Sequence, residues 1–244
     1  MSKYDEVQAN EDTPAADELG DYRAISALAV AGLVLGIASV VALVHPLLWV
    51  VPAAAVAVNL AALGRIERFA PSLSGRKAAL CGLVAALLFG VGAPTQWFSR
   101  RWLVRRDADQ FVRVWFDYLA QDQPHFAHQL TVDPLYRQPL DEKLWNHYRG
   151  SRAEHAVLER FVRVPLVRSL LALGPKASVR YLGTEMQATD RGREALLNLY
   201  AVTFNEGARS RSFLVRIGVQ RVWDVKAGVS RWQLIKAIGP EKTT

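Results

Sequence analysis

Residues 24–64 read AISALAVAGLVLGIASVVALVHPLLWVVPAAAVAVNLAALG, and these 41 consecutive positions contain no Asp, Glu, Lys or Arg. A single helix of that length would extend about 60 Å, roughly twice the hydrocarbon thickness of a bilayer. The His45-Pro46 step divides the stretch, because a residue that precedes proline is pushed out of the helical region. We therefore predict a helical hairpin whose membrane spans cover residues 24–44 and 46–64.

Residues 78–99 form a second uncharged stretch, which follows the basic loop RIERFAPSLSGRK at 65–77. Its length is that of a third span. Aromatic and basic side chains at its far end are typical anchors at a membrane interface; they are Trp97, Arg100, Arg101 and Trp102. The sequence predicts a module of three transmembrane helices over 24–99, with the lipid bilayer as its partner, and a basic juxtamembrane linker over 100–106.

Small residues are spaced for close helix packing in the predicted spans. Gly32 and Gly36 form a GxxxG pattern in the first span, and Gly82 lies in the third. Small faces let helices approach closely in lipid, where packing rather than the hydrophobic effect drives association. The face either binds a second copy or packs within the chain. We favour packing within the chain, because partner helices are already present.

Charge is distributed unevenly along the chain. Residues 1–23 carry seven acidic and two basic side chains, whereas residues 100–244 carry 24 Lys and Arg against 15 Asp and Glu. The acidic leader predicts a disordered tail and argues against a secretory signal, which has a short basic leader. Residues 240–244 are predicted to be a second tail. The only cysteine, Cys81, excludes an internal disulfide framework and a CxxC zinc site.

Basic residues also predict the orientation, because positive charge near a span stays in the cytoplasm. Lys3, Arg23 and four basic residues of the 65–77 loop fall on one side of a three-span module, and four arginines of 100–106 fall on the other. The count of six against four favours a multi-pass protein of the cell (inner or plasma) membrane. Its N-terminus would be cytoplasmic and its C-terminal domain exoplasmic.

The chain after the membrane module predicts an α+β domain over 107–239. Apolar residues at helical spacing in 107–121 indicate an amphipathic helix, and further helices are expected over 139–148, 153–163 and 166–173. Apolar and polar residues then alternate in segments separated by turn sequences, which predicts strands over 178–189, 194–205, 210–223 and 229–238. Short turns make such strands antiparallel neighbours, so we expect helices packed on a four-stranded meander.

Residues 24–95 resemble a bacterial family of Gly/Ala-rich membrane domains of unknown function. The resemblance lies in AVAGLVLGIASVVAL at 29–43, AALGRIERF at 61–69 and LSGRKAALCGLVAALLFG at 73–90. The matching residues are Gly32, Gly36, Leu63, Arg65, Ile66, Gly75, Arg76, Ala79 and Gly82. Asn59 departs from the family pattern, which has Gly or Ala in this part of the chain. The family carries no known chemistry, so the resemblance implies a membrane module and no catalytic residue.

The element order of 107–239 and the last strand, VSRWQLIKAIG, resemble the cystatin-like roll of nuclear transport factor 2-like proteins. In such a roll the cone between the first helix and the sheet is the usual pocket. The resemblance makes five residues candidates for the pocket lining: Trp115, Tyr118, His128, Tyr136 and His147.

Three functions remain open at this level. The first is a non-enzymatic module that binds a protein partner, a second copy or a small ligand. The others are a membrane-tethered isomerase or dehydratase and a structural subunit of an envelope or secretion complex. The enzyme would need a buried base, and Asp122, Asp133 and Asp141 all fall in turn or cap contexts. A cone filled by Trp115 would exclude the enzyme. We favour the binding module.

Other kinds of site find little support in the sequence. His125 and His128 form an HxxH without a clear third ligand, so we predict no metal site. The α+β segment has no P-loop and no GxGxxG, so we predict no cofactor. The arginines of 100–106, with Arg209 and Arg211, are expected at the membrane edge and on a solvated hairpin rather than on nucleic acid.

Overall fold

The computed structural model describes residues 24–69, 73–190, 193–207, 209–224 and 228–239. The predicted tails at 1–23 and 240–244 lie outside these residues. The chain divides into two compact units, residues 1–100 and residues 101–244. We call them the helical unit and the α+β unit.

The helical unit begins with helix α1, Ala27–Ala38, which continues as the 3₁₀ helix Ser39–Leu43. The 3₁₀ helix Pro46–Trp49 then leads into α2, Val50–Arg68. The predicted break is confirmed, because His45 is extended (φ −150°, ψ 140°) and its Nδ1 accepts a hydrogen bond from the Leu47 amide at 3.2 Å.

Two short strands bring together the beginnings of α1 and of the next helix, α3 (Arg76–Ala120). Strand β1, Ala24–Ile25, pairs in parallel with β2, Leu73–Ser74. The Ser26 amide also donates to the Ser74 carbonyl at 3.0 Å. Because each strand directly precedes its helix, the first turns of α1 and α3 start side by side.

Two helices, rather than the three predicted, are long and apolar enough to cross a membrane. They are Pro46–Arg68 and Arg76–Ala120. Ala27–Leu43 is also apolar, but it is shorter. The predicted first span, 24–44, is shortened at both ends. Its first residues belong to β1 and to Ser26, and Val44 belongs to the turn.

Helix α3, Arg76–Ala120, is 45 residues long and passes without a break through the predicted linker at 100–106. The linker prediction is therefore corrected to helix. Neither Gly nor Pro occurs between Pro94 and Pro124, so the sequence contains no residue that would end the helix. The change from apolar to basic composition alters what surrounds a helix, but it does not interrupt backbone hydrogen bonding.

The α+β unit contains the last part of α3, four shorter helices and a sheet. The helices are α4 Pro124–Gln129, α5 Leu144–Gly150, α6 Arg152–Val162 and α7 Pro165–Leu173, with a 3₁₀ turn at Gly174–Lys176. The strands are β3 Ser178–Asp190, β4 Arg193–Glu206, β5 Arg209–Asp224 and β6 Val229–Ile238. They are antiparallel in the order β3-β4-β5-β6, which confirms the predicted meander.

One face of this sheet carries the core. Alternate residues of β4 and β5, such as Tyr200 and Ile217, are fully buried and belong to one cluster with residues of α3 and α7. Val112 and Leu119 represent α3 in that cluster, and Leu170 represents α7. The predicted α+β arrangement, with helices on one face of an antiparallel sheet, is confirmed.

The segment after α4 covers the outer edge of β6. The Leu234 amide donates to the Leu130 carbonyl at 2.9 Å, and Gln233 Nε2 donates to the Thr131 carbonyl at 2.9 Å. The Arg137 guanidinium donates to the Trp232 carbonyl, also at 2.9 Å. Burial lowers the pKa of Arg137 to about 10, so it remains charged at neutral pH. These bonds satisfy edge groups that would otherwise be free to pair with another chain.

Candidate functional site

The predicted cone between the first helix of the α+β unit and the sheet is filled by side chains. Trp115 is fully buried and lies edge-on to Phe116, with ring centroids 5.1 Å apart. Phe116 in turn contacts the buried ring of Tyr200 at 5.4 Å. These rings belong to the packed core of the α+β unit.

His128 lies in a separate buried cluster with Tyr148 and Gln129. Its Nδ1 is 2.6 Å from the Tyr148 hydroxyl, and Gln129 Nε2 donates to the same hydroxyl at 2.7 Å. The Gln138 amide donates to Gln129 Oε1 at 3.0 Å, which fixes the orientation of the Gln129 amide. The Tyr148 proton therefore points to His128, which accepts it in the neutral form.

Burial explains the titration of this cluster. It lowers the pKa of His128, an effect that the nearby Glu154 carboxylate partly opposes. Burial also raises the pKa of Tyr148 to about 12. Both groups are thus held neutral, as expected for a hydrogen-bonded structural cluster inside a domain.

The structure does not bring the other predicted lining residues to one site. Tyr118 stacks on Phe126 with centroids 5.2 Å apart, and Tyr136 is 76% exposed. His147 lies beside Tyr148, but its Nε2 faces Glu154 at 3.9 Å on the surface. The five residues therefore occupy the core, the His128 cluster and the surface, without a common cavity.

The three candidate aspartates are in turns. Asp133 Oδ1 accepts a hydrogen bond from the Leu135 amide at 2.9 Å, and Asp141 Oδ1 accepts one from the Lys143 amide at 3.0 Å. Asp122 has a φ of 57°, a left-handed conformation that Asp tolerates better than most residues. Within the described residues, no group of three His, Cys, Asp or Glu side chains is placed to hold a metal ion.

A cleft lies between α7 and one end of the sheet in the α+β unit, and we call it the α7 cleft. Its volume is about 930 Å³. Leu166, Ser169 and Leu173 of α7 form one wall, and Phe204 of β4 and Phe213 of β5 form the opposite one. The helix supplies residues at i, i+3 and i+7, so one face of α7 lines the cleft.

The walls of the α7 cleft are apolar. Phe204 and Phe213 lie edge-on with centroids 6.1 Å apart. Ala237 and Gly239 close the end, and a Cβ on Gly239 would lie 3.3 Å from the Leu166 side chain, so glycine permits the close approach there. A cleft of this size and composition matches the usual small-molecule site, which measures about 300–1,000 Å³ and is mostly apolar.

The polarity of the helical unit is the reverse of a soluble core. Large aliphatic side chains are exposed: Val34, Ile37, Leu47, Val84, Leu88 and Val91 are each at least half exposed. Small residues are buried instead, including Ala29, Ala55, Ala62, Ala79 and Ala86. In Pro46–Arg68 and in Arg76–Ala120, only 22% of the most apolar part of the helix is buried, whereas the core helix of a soluble protein would be mostly buried.

The predicted packing glycines meet at the centre of the helical unit. A Cβ on Gly36 would clash with the Gly82 carbonyl oxygen, and one on Gly82 would lie 2.7 Å from the Gly32 carbonyl oxygen. Asn59, fully buried, donates from Nδ2 to the carbonyls of Gly32 at 2.9 Å and Ala55 at 2.8 Å. These contacts join all three helices, so the glycines are used within the chain.

Aromatic side chains gather at one end of the helical unit. Trp97 lies edge-on to Phe98 at 4.9 Å and to Trp49 at 6.0 Å. A small cavity of about 140 Å³ beside them is lined in part by His45 and Arg100. In the α+β unit, Trp102 is 59% exposed with the Arg106 guanidinium 5.4 Å from its ring centroid. Arg101 follows Arg100 within the same helix.

Sequence reasoning missed the α7 cleft, Trp49 and the polar role of Asn59. Trp49 precedes α2 and meets Trp97 only after the hairpin folds. Asn59 offered a signal, because a lone amide in an apolar helix usually bonds to a neighbouring helix. The cleft offered none, because its wall combines one face of α7 with the ends of three strands.

The comparisons with known proteins add no relative: no protein-family model, no curated protein and no solved structure matches the chain.

Proposed function

We propose that this is an integral membrane protein whose residues 24–99 anchor it in a bilayer and whose α+β unit binds an apolar ligand without chemical conversion. The observation that carries the binding function is the open α7 cleft of about 930 Å³. The burial of Trp115 supports a binding function, because its side chain takes up space in which an enzyme of the roll type would hold a substrate. The succession of helices and a four-stranded meander supports a cystatin-like roll for this unit.

The exposed aliphatic surface of the helical unit supports membrane insertion. Val34 and Ile37 are each 60% exposed, and Leu47 is 79% exposed. In water such a surface would be unfavourable by roughly 25 cal/mol for every Å² exposed. In lipid it is the expected surface, with small residues and a hydrogen-bonded amide holding the helices together.

We further propose that Ala27–Leu43 crosses the bilayer as a third span. Its α-helical and 3₁₀ parts together extend about 28 Å, close to the ~30 Å hydrocarbon core. The parallel pairing of β1 and β2 starts α1 beside α3. Three crossings, with the distribution of basic residues, support a cytoplasmic N-terminus and an exoplasmic α+β unit in a cell membrane.

Binding to the α7 cleft can be tested with the fluorescent apolar probe N-phenylnaphthylamine. The full chain is reconstituted in phosphatidylcholine nanodiscs, and the probe signal is corrected with empty nanodiscs. Ala172→Trp places an indole in the cleft wall at an exposed position. Ala188→Trp is the matched control, because Ala188 lies on β3 away from the cleft.

We expect saturable probe fluorescence with the wild-type chain and with Ala188→Trp, and at least about tenfold weaker binding with Ala172→Trp, because the indole occupies the ligand volume. Equal melting temperatures of the two variants would show that the fold is retained. Equal probe binding by both variants, or no saturable signal with the wild-type chain, would contradict the proposed function.

A further inference from the structure

We propose that the ligand of the α7 cleft is a single-chain anionic amphiphile, such as a fatty acid, whose chain lies in the cleft and whose head group binds arginines at the rim. This inference rests on the proposed function and specifies its ligand class. It follows from the chemistry of the wall, from the charges at the mouth and from the way both are built into α7 and the sheet.

The wall of the α7 cleft provides an apolar surface on which a hydrocarbon chain can pack. Its described side chains provide no hydrogen-bond partner for a polar group of the ligand. Among the described residues that line the cleft, Ser169 is the one with a side-chain hydroxyl, and its Oγ donates to the Pro165 carbonyl at 2.9 Å within α7. The rest of the lining is aliphatic or aromatic, with Phe204 and Phe213 opposite the helix. A polar group inside the cleft would lose its water and would find no replacement among these side chains, so we expect the inserted part of the ligand to be apolar.

The rim on the sheet side is basic. Arg211 pairs directly with Phe204 across β4 and β5 and lies two residues from Phe213, so its side chain is on the lining face. By the same register, Arg209 is opposite Glu206 on that face. This end of the hairpin therefore carries two positive charges and one negative charge on the side of the cleft.

The Glu206 carboxylate does not close the rim to an anion. Arg211 Nε is 2.8 Å from Glu206 Oε2, but the two side chains are 63% and 60% exposed. An exposed ion pair of this kind contributes only about 0–1 kcal/mol, so the Arg211 guanidinium can exchange this partner for a ligand carboxylate. Arg209 leaves the group with a net positive charge.

The rim on the helix side contributes Arg168. It lies three residues after Pro165 and four before Ala172, which both line the cleft, so the three share one side of α7. Arg168 is exposed. Arg168 is thus a neighbour of lining residues on the helix, and Arg211 is a neighbour of lining residues on the sheet. Positive charge beside an apolar cleft complements a ligand with an anionic head and an apolar chain.

A peptide segment fits this wall less well than an amphiphile. Every residue of a peptide brings an amide and a carbonyl group that require hydrogen-bond partners when buried. The described side chains of the lining supply no such partner, because Ser169 is already bonded within its helix. A hydrocarbon chain has no such requirement, so a single acyl chain is the better occupant.

The test uses the full chain in phosphatidylcholine nanodiscs with a diazirine-labelled palmitic acid and its methyl ester, which has the same chain and no charge. After irradiation, mass spectrometry locates and quantifies the cross-links. Arg168→Glu combined with Arg211→Glu reverses the rim, and Ala172→Trp fills the cleft. Arg180→Glu is the matched control, because Arg180 is exposed on β3 and pairs with Ala201, away from the lining face.

We expect the acid to cross-link to residues of α7 and of β4 or β5, and excess unlabelled palmitate to suppress the signal. The rim double variant should reduce acid cross-linking about tenfold and leave the ester signal unchanged, since only the charged head loses its partners. Ala172→Trp should abolish both signals, and Arg180→Glu should change neither.

The outcomes separate the two proposals. If acid and ester label the cleft equally and the rim variant changes neither, the cleft binds apolar ligands and the anionic inference is overturned. If neither compound labels α7, or if Ala172→Trp leaves labelling intact, the proposed function itself is overturned. Labelling confined to Ala27–Leu43, α2 or the first part of α3 counts as no labelling of α7, because those helices meet probe that is dissolved in the bilayer, and it would likewise overturn the proposed function.

Discussion

At the scale of single residues, glycine and asparagine determine how closely the three apolar helices pack. The Asn59 amide bonds to Gly32, and its Oδ1 faces the Gly82 backbone, 2.8 Å from the position of a Gly82 Cβ. Oδ1 has no hydrogen-bond partner among the described residues. The site has room for a hydrogen on Gly82 and not for a methyl group.

Gly82→Ala should therefore destabilise the helical unit by about 1–3 kcal/mol, as overpacking of a filled core does. Gly92→Ala is the matched control in the same helix, because no atom lies within 4 Å of a Cβ there. Alanine at that position should be neutral or stabilising by up to about 1 kcal/mol. SDS titration of the protein in maltoside micelles measures both changes. Equal midpoints for the two variants would disprove the three-helix contact.

Replacing Asn59 tests the polar contribution in the same place. Asn59→Leu removes hydrogen bonds to the Gly32 and Ala55 carbonyls, and such bonds in membrane proteins contribute about 0.6–2 kcal/mol. The larger side chain also meets Gly82. Leu60→Ile is the control, because Leu60 is 54% exposed and its replacement should leave the packing between helices unchanged. We expect a lower SDS midpoint for Asn59→Leu than for Leu60→Ile. An unchanged midpoint would show that Asn59 makes no net contribution.

His128 makes the stability of the α+β unit depend on pH. Its pKa is lowered by burial, so the unfolded chain binds a proton more readily than the folded one. The stability that neutral His128 contributes to the folded α+β unit is therefore complete above the ordinary histidine pKa of about 6.5, and it is lost as the pH falls below that value. A protonated ring would also donate to the Tyr148 hydroxyl, which would leave the tyrosine proton without this acceptor.

We expect the melting temperature of the α+β unit to fall between about pH 7 and pH 5, with a smaller fall in His128→Gln, whose side-chain carbonyl can still accept from Tyr148. His125→Gln is the comparison, because burial lowers the pKa of His125 as well, whereas the hydrogen bond to Tyr148 is made by His128. A pH dependence that is the same in His128→Gln as in the wild-type chain would rule out His128 as the group responsible.

At the scale of elements, α3 is the main departure from the sequence prediction. Hydropathy suggested a span, a linker and a separate amphipathic helix, whereas the structure has one helix from Arg76 to Ala120. Val104 is only 4% exposed and belongs to the core of the α+β unit, so the segment at 100–106 also contributes packing.

Leu103→Pro tests this continuity. Proline inside a helix removes a hydrogen bond and adds a steric clash, at a cost of about 3 kcal/mol or more, whereas a linker would tolerate it. Leu103 is half exposed, so Leu103→Ala separates the backbone effect from lost side-chain contacts. We expect thermal unfolding of the α+β unit to shift downward clearly for proline and slightly for alanine. Equal shifts would mean that 100–106 is a linker.

The strands were predictable and the cleft was not, for physical reasons that particular residues illustrate. Phe213, Val215, Ile217 and Val219 alternate with residues of the opposite face, and this period belongs to the strand itself. The α7 cleft needs Leu166 to meet Gly239 and Phe204 to meet Phe213. Those distances depend on the tertiary fold. Trp115 likewise has a predictable helical position, but only packing shows that it fills the core rather than lining a pocket.

At the scale of the whole molecule, the number of membrane crossings determines the side of the bilayer on which the α+β unit lies. Two helices are long enough to cross, and the shorter Ala27–Leu43 decides whether the number is two or three. An odd number places the acidic N-terminal segment and the α+β unit on opposite sides of the bilayer. Cys81 is the only cysteine, so its replacement by alanine gives a background for single-cysteine labelling.

The most direct test is labelling of Ser2→Cys and Thr244→Cys, each in a Cys81→Ala chain, with a membrane-impermeant maleimide applied to intact cells and to inverted membrane vesicles. We predict that Thr244→Cys reacts in intact cells, that Ser2→Cys reacts in inverted vesicles, and that Cys81 in the unsubstituted chain reacts from neither side. Reaction of both engineered cysteines from the same side would contradict the three-span anchor.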